Sequence, residues 1–157
     1  MVEYIKKPWL LLSAEWAHSV SPFFLNALHG RKAKENPRYS WNEMKWEGLQ
    51  FRNPVGTAGG LDKNGVNINA WWNLGAGFLE VGTVTPIPQA KNPGKTVGRD
   101  LKLGALWNCL GFPNLGASQL MKKLEAFPKA KRITPLFINI GKNRWTKNSD
   151  AHLDYIY

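Results

Sequence analysis

The sequence predicts an α/β fold built on a parallel sheet and preceded by a small helical extension. Three observations carry this. From Glu47 onward, short apolar runs alternate with helical stretches in the order β-α-β-α-β-α, the order that right-handed crossovers between parallel strands produce. The residues best suited to chemistry, Gly59-Gly60, Thr83 and Asn139-Ile140-Gly141, fall where those strands end. Residues 1–30 differ in texture, being apolar and helical.

In residues 1–30, Trp16, Val20, Phe23, Phe24, Ala27 and Leu28 recur at helical spacings of three and four. Pro22 either kinks one helix or, with Ser21 before it, starts a second, and Gly30 ends the unit. Trp9, Leu10, Leu11, Leu12, Ala17 and Leu25 surround this stripe. So apolar a unit needs a cover, which is either the rest of the protein or lipid and lipid-soluble ligands. Residues 31–46 form a basic, polar connector, and 47–157 form the α/β body. Within the body, Leu49 to Phe51 is a short strand and Val55 to Gly60 a buried strand running into a glycine loop. Asn64 to Leu74 is a helix closed by Gly75, and Phe78 to Val84 is a strand. A loop rich in proline (Pro86, Pro88, Pro93) leads to a helix over 116–127 whose core face is Leu120, Met121 and Leu124. Leu136 to Ile140 is a strand, and Ser149-Asp150 caps a last helix running to Tyr157.

Composition narrows the function. At 43% hydrophobic and 12% aromatic, the chain is not a disordered polyelectrolyte. One cysteine, Cys109, excludes an internal disulfide framework and a cysteine-based metal site. His18, His29 and His152 show no ligand spacing, so no metal is expected. The apolar run Trp9 to Leu12 is far short of the ~20 residues that span a bilayer, and the start lacks the order of a secretory leader. The net charge of +10 is uneven: residues 1–30 are neutral, 31–53 carry +3, 54–90 carry −1 and 91–157 carry +8. Lys122, Lys123, Lys129, Lys131 and Arg132 read as a solvated helix face and its exit loop, or as an attraction to an anionic membrane surface. Basic residues without interleaved aromatics or a recognition motif argue against nucleic acid.

Two phosphate-loop readings fail. Gly94-Lys95-Thr96 ends like a P-loop, but Gln89 occupies the place of its first glycine. Gly75-Ala76-Gly77 starts like a dinucleotide fingerprint, but Glu80 occupies its third glycine position. Lys63 is more informative. It lies in Ala58-Gly59-Gly60-Leu61-Asp62-Lys63-Asn64-Gly65, where adjacent glycines admit a flat ligand close to the backbone. A lysine there is either a surface residue on a turn or a fixed cation beside a reduced flavin or a carboxylate. The loop Asn108 to Phe112 offers an amide, a glycine and an aromatic ring to a planar polar molecule. Asn139, inside the apolar run Phe137 to Ile140, needs a ligand or a backbone partner.

Taken in order, these segments resemble the dihydroorotate dehydrogenase family, in its membrane-associated, quinone-linked class. The stretches that carry the resemblance are Asn53-Pro54-Val55-Gly56 through Gly65, Glu80 to Pro86 with Pro88-Gln89 and Asn92-Pro93, Asn108 to Phe112 with Asn114, and Asn139 to Asn143 leading to Asp154-Tyr155. Glu15, Ala17-His18 and Leu28 resemble its helical extension. The resemblance covers essentially the whole chain. It implies a (β/α)₈ barrel, of which residues 47–157 hold the first three βα units, and the oxidation of dihydroorotate to orotate with FMN as hydride acceptor and quinone as final acceptor. It implies FMN beside Gly59, Gly60, Leu61, Asp62, Lys63, Thr83 and Asn139, and orotate beside Lys63, Asn108, Cys109, Leu110, Gly111 and Phe112. Residues 1–30 would form a quinone-tunnel mouth resting on a bacterial inner membrane from the cytoplasmic side, or on a mitochondrial inner membrane.

The chain departs from the family pattern at Cys109 and Ile87, where arginine is usual, at Gly59, where alanine is common, and at Pro22. The family's base is a serine in a Ser-Pro-Asn loop with no counterpart here, so no catalytic base is expected within residues 1–157. The chain alone is therefore expected to be inactive. The alternatives are a non-catalytic fragment associating with membrane and another FMN-dependent barrel oxidoreductase.

Overall fold

The computed structural model describes residues 11–157. The part of the apolar N-terminal stretch at Trp9 and Leu10 lies outside the described residues. Helix α1 (Ala14–His29) opens on Ser13, whose side chain accepts the Trp16 N–H at 3.2 Å. It is one continuous helix through Pro22. Pro22 has no N–H to give the His18 carbonyl, and the Ser21 hydroxyl bonds that carbonyl instead at 3.0 Å. No residue of α1 is fully buried, and Trp16, Phe23, Phe24 and Leu28 are all more than half exposed. The 31–46 stretch contains a 3₁₀ turn (Pro37–Tyr39) and then β1 (Met44–Trp46), which pairs antiparallel with β2 (Leu49–Phe51).

The body is α/β with a parallel pairing at its centre. Strand β3 (Leu79–Val84) pairs in parallel with β6 (Leu136–Ile140), Glu80 opposite Phe137 and Gly82 opposite Asn139. One face of β3 meets helix α2 (Ile68–Asn73) and helix α3 (Ala117–Leu124) in a core of Ile68, Trp72, Leu79, Val81, Val84 and Leu120. Trp72 also stacks edge-on against Phe127 and donates its indole N–H to Thr134 at 2.8 Å. The other face carries Glu80 and Gly82, alongside a cluster of Phe51, Phe78 and Phe137.

Several elements differ from the sequence reading. Residues 55–60 are not a buried strand: Val55 is 59% exposed, and the segment meets β3 and Phe78 before it at separate points, the Gly56–Phe78 bridge, the Thr57 N–H on the Phe78 carbonyl, the Glu80 N–H on Thr57 Oγ1 and the Gly60 N–H on the Gly82 carbonyl. The expected 64–74 helix shortens to α2 because residues 64–67 form a turn, which the Asp62 carboxylate holds through the Val66 and Asn67 N–H groups. The proline-rich loop contains an antiparallel hairpin, β4 (Val97–Asp100) with β5 (Ala105–Asn108), so the described strands are not all parallel. Four-residue strands without strict alternation left no periodic trace there. Met121 is 66% exposed and not part of the core face, whereas Leu120 is buried. Ile138 and Ile140 are 49% and 57% exposed, because α2 and α3 cover β3 but not β6. The final helix α4 (Ala151–Tyr155) has no side-chain cap from Asp150. Among the described residues no helix is long and apolar enough to cross a membrane.

Candidate active site

A cavity of about 690 Å³ opens at the C-terminal end of β3. Three segments far apart in sequence line it: Ala58 to Lys63 without Asp62, Thr83, and the hairpin arm from Leu106 to Phe112 without Trp107, with Val97 and His18 completing the wall. Ten of the residues singled out by sequence therefore share one space: Gly59, Gly60, Leu61, Lys63, Thr83, Asn108, Cys109, Leu110, Gly111 and Phe112. Its size suits a cofactor-sized ligand.

The 58–63 loop is stitched to β3. The Gly60 N–H donates to the Gly82 carbonyl at 2.6 Å, and the Gly82 N–H to the Asp62 carbonyl at 3.1 Å. Gly60 has φ of 93°, a conformation that side chains resist, and a Cβ there would meet open space, so its bare backbone faces the cavity. Lys63 is half-buried and donates from Nζ to the Gly60 carbonyl at 2.6 Å. Burial pushes its pKa down, and the neighbouring Asp62 charge pushes back. Asp62 itself does not line the cavity. Its carboxylate turns inward to accept the Val66 and Asn67 N–H groups at 2.9 and 2.8 Å, and burial raises its pKa against those bonds.

Asn139 lies behind Thr83, outside the cavity lining. Side chains, not a backbone group, satisfy its amide. Thr83 Oγ1 donates to Oδ1 at 2.6 Å, and Nδ2 donates to Glu80 Oε1 at 2.6 Å. A Cβ at Gly59 would come within 2.9 Å of both Asn139 Nδ2 and Glu80 Oε1, so the glycine leaves room for this pair.

The 108–112 loop is held by its carbonyls. Asn92 Nδ2 donates to the Cys109 carbonyl at 2.7 Å, Gln89 Nε2 to that of Gly111 at 2.8 Å, and Asn114 Nδ2 to that of Phe112 at 2.9 Å. Behind these bonds, Thr85, Gln89, Asn114 and Asn143 form a buried polar network, with Asn143 Nδ2 on Thr85 Oγ1 at 3.0 Å. Buried amides satisfied in this way fix the loop in one conformation.

Sequence reasoning missed His18 and Glu80. His18 reaches the cavity from α1, and burial followed by the Lys63 and Lys91 charges lowers its pKa. Nothing in histidine spacing points to it, since its cavity neighbours come from segments 40 or more residues on. Glu80 shows its role only through the register that sets it beside Asn139. A second, apolar groove of about 560 Å³ runs between α1 and α2, with Leu12, Val20, Phe24 and Leu28 facing Leu61, Trp71 and Leu74.

A sequence profile of the family described as Dihydroorotate dehydrogenase matches residues 42–156. The chain belongs to the dihydroorotate dehydrogenase family. Every cavity segment except His18 lies in the matched stretch. A dihydroorotate dehydrogenase (quinone) of Xylella fastidiosa strain M12 is 49% identical over 110 residues, covering 70% of this chain and 31% of that protein. One from Psychrobacter sp. strain PRwf-1 is 43% identical over 154 residues, covering 96% of this chain and 44% of that protein. So few residues are left over that α1 falls within the likeness. The crystal structure of the Eimeria tenella dihydroorotate dehydrogenase in complex with ferulenol superposes with a TM-score of 0.72 at 33% identity, over 90% of this chain and 38% of that one. The chain thus matches between 31% and 44% of the length of these dihydroorotate dehydrogenases.

Proposed function

We propose that this chain supplies part of the active site of a quinone-linked dihydroorotate dehydrogenase, with the fold of an opened (β/α)₈ barrel. The observation that carries the reading is the single cavity at the end of β3 that gathers Gly59-Gly60, Lys63, Thr83 and the 108–112 loop. The residues fit a flavin: bare backbone at Gly60 admits a flat ring, and one cation stands beside it. FMN, when bound, supplies the two-electron acceptor between dihydroorotate and quinone. Gly59, Gly60, Leu61, Lys63 and Thr83 hold it, with Asp62 and Asn139 acting from behind. Lys63 stabilises negative charge on the ring or on the substrate carboxylate. Asn108 offers an amide to the substrate ring, and Cys109 to Phe112 close over it, which excludes water.

The exposed apolar side of α1 and the groove beneath it suit a quinone approaching from a membrane surface. Peripheral attachment to an anionic inner membrane, helped by the basic body, belongs to the same proposal.

The test is an absorption spectrum of the purified 157-residue chain, followed by titration with FMN and orotate. The expected outcome is no co-purified stoichiometric flavin, weak FMN binding on titration, and a loss of about tenfold or more in that binding with Lys63→Met. A yellow chain carrying one flavin would overturn the incomplete-site reading. No response to millimolar FMN or orotate would overturn the cavity's assignment, leaving a fragment that only associates with membrane.

A further inference from the structure

The contacts around Asn139 have a direction. Glu80 and Gly82 project from one face of β3, and Asn139 sits opposite Gly82 on β6. Asn139 Nδ2 donates to Glu80 Oε1, and Thr83 Oγ1 donates to Asn139 Oδ1, both at 2.6 Å. A carboxylate only accepts, so it fixes which end of the amide faces it. The flipped amide would set two oxygens against each other. With the amide fixed, its carbonyl faces Thr83, and the Thr83 hydroxyl has one proton to give. That proton is committed inward, away from the cavity that Thr83 lines.

We propose that Glu80 is a positioning residue that acts through Asn139 to make Thr83 a hydrogen-bond acceptor in the cavity, selecting a ligand hydroxyl or ring N–H there and rejecting a phosphate oxygen. The relay stands on this geometry alone, while the identity of the ligand rests on the flavin reading above. Thr83 then meets the sugar-alcohol chain or the ring of a flavin, because an ionised phosphate oxygen offers no proton. Gly59 belongs to the device, since a Cβ there would press on both relay members at 2.9 Å.

Two measurements on the 157-residue chain test it. In side-chain amide NMR, the Asn139 Nδ2 protons, assigned by their absence in Asn139→Asp, should include one that exchanges slowly with solvent. Glu80→Gln can present either end of its own amide, and should cut that protection about tenfold or split the signal into two orientations. The Trp72 indole proton, bonded to Thr134 in the core on the opposite face of β3, reports that each variant is folded. Thr83→Val should keep the slow proton, because Glu80 still holds the amide. Unchanged Asn139 signals in Glu80→Gln, or loss of the slow proton in Thr83→Val, would overturn the relay.

In the second measurement, FMN, riboflavin and lumiflavin are titrated into the wild type and Thr83→Val. A loss of roughly five- to tenfold for FMN and riboflavin but not lumiflavin places a side-chain hydroxyl of the flavin at Thr83. The same loss for all three places a ring N–H there. A loss confined to FMN puts the phosphate at Thr83 and overturns the polarity. If the wild type binds none of the three flavins, the flavin reading fails and the amide signals alone decide the relay.

Discussion

Helix α1 and the body around β3 are both rich in apolar side chains, yet they are held by opposite means. The body buries Trp72, Ile68, Leu79 and Val81 almost completely and backs its cavity loop with a closed set of buried amides. Helix α1 buries no residue fully and is attached largely by polar contacts at points along its length. Glu15 accepts the Thr96 N–H at 3.0 Å, Arg99 bonds the Leu12 carbonyl, and Asn26 Nδ2 donates to the Val66 carbonyl at 3.0 Å. At the last residue of α1 and just beyond it, Asn73 Nδ2 donates to the carbonyls of His29 and Arg31. The contrast separates a part whose buried core and polar network hold the cavity loop from a part that lies on the surface and gives the cavity only His18.

The comparison can be broken most severely at Trp72. Trp72→Ala removes a fully buried indole, its ring contact and its bond to Thr134, and should cost about 3–5 kcal/mol, read by urea unfolding. Asn143→Ala should cost about 1–3 kcal/mol by removing the bonds its buried amide makes to Thr85, Ile87 and Gln89, and should raise amide exchange across 109–112 before it raises exchange in α2. Glu15→Gln should leave the body's unfolding midpoint in place while exchange in α1 rises several-fold, because this part-buried contact at the helix start ties the helix to the body and no core residue depends on it.

The smallest effect is a pH dependence. The lowered pKa of His18 means the folded protein prefers it neutral, since burial and the Lys63 and Lys91 charges oppose protonation. Its contribution is complete above the unfolded value and fades as the pH falls below about 6.5. The lowered pKa of Glu15, caused first by its bond to the Thr96 backbone, acts in the same direction at still lower pH. Acidification should therefore loosen α1 before the body, and His18→Asn should remove the first stage of that loosening, as followed by hydrogen exchange between pH 7 and 5.

Legibility followed the range of the interactions. Strand β3, strand β6 and the helix at 117–124 were readable because their patterns are local and long enough to repeat. The 97–108 hairpin was not, because its strands are short and their pairing lies between segments, not within either one. Residues 55–60 misled for a related reason: Val55 looks like a strand residue, but the backbone there serves the glycine loop and meets the sheet at isolated points. The site residues were visible as types, a lysine after glycines and an amide in a loop. His18 and Glu80 were invisible because each gains its role from a partner supplied by the fold.

By itself the sequence determined the family, the β-α order around β3 and β6, the apolar character of the first thirty residues and the positions at which a cavity wall is placed. These are properties of residue type and short spacing, which a chain carries before it folds. Tertiary structure alone decided that ten of those positions meet in one space, that α1 passes through Pro22 unbroken, and that a carboxylate orients the amide behind Thr83. Each of these depends on distances between groups far apart along the chain, which hydrogen-bond geometry fixes only once strands and helices have packed.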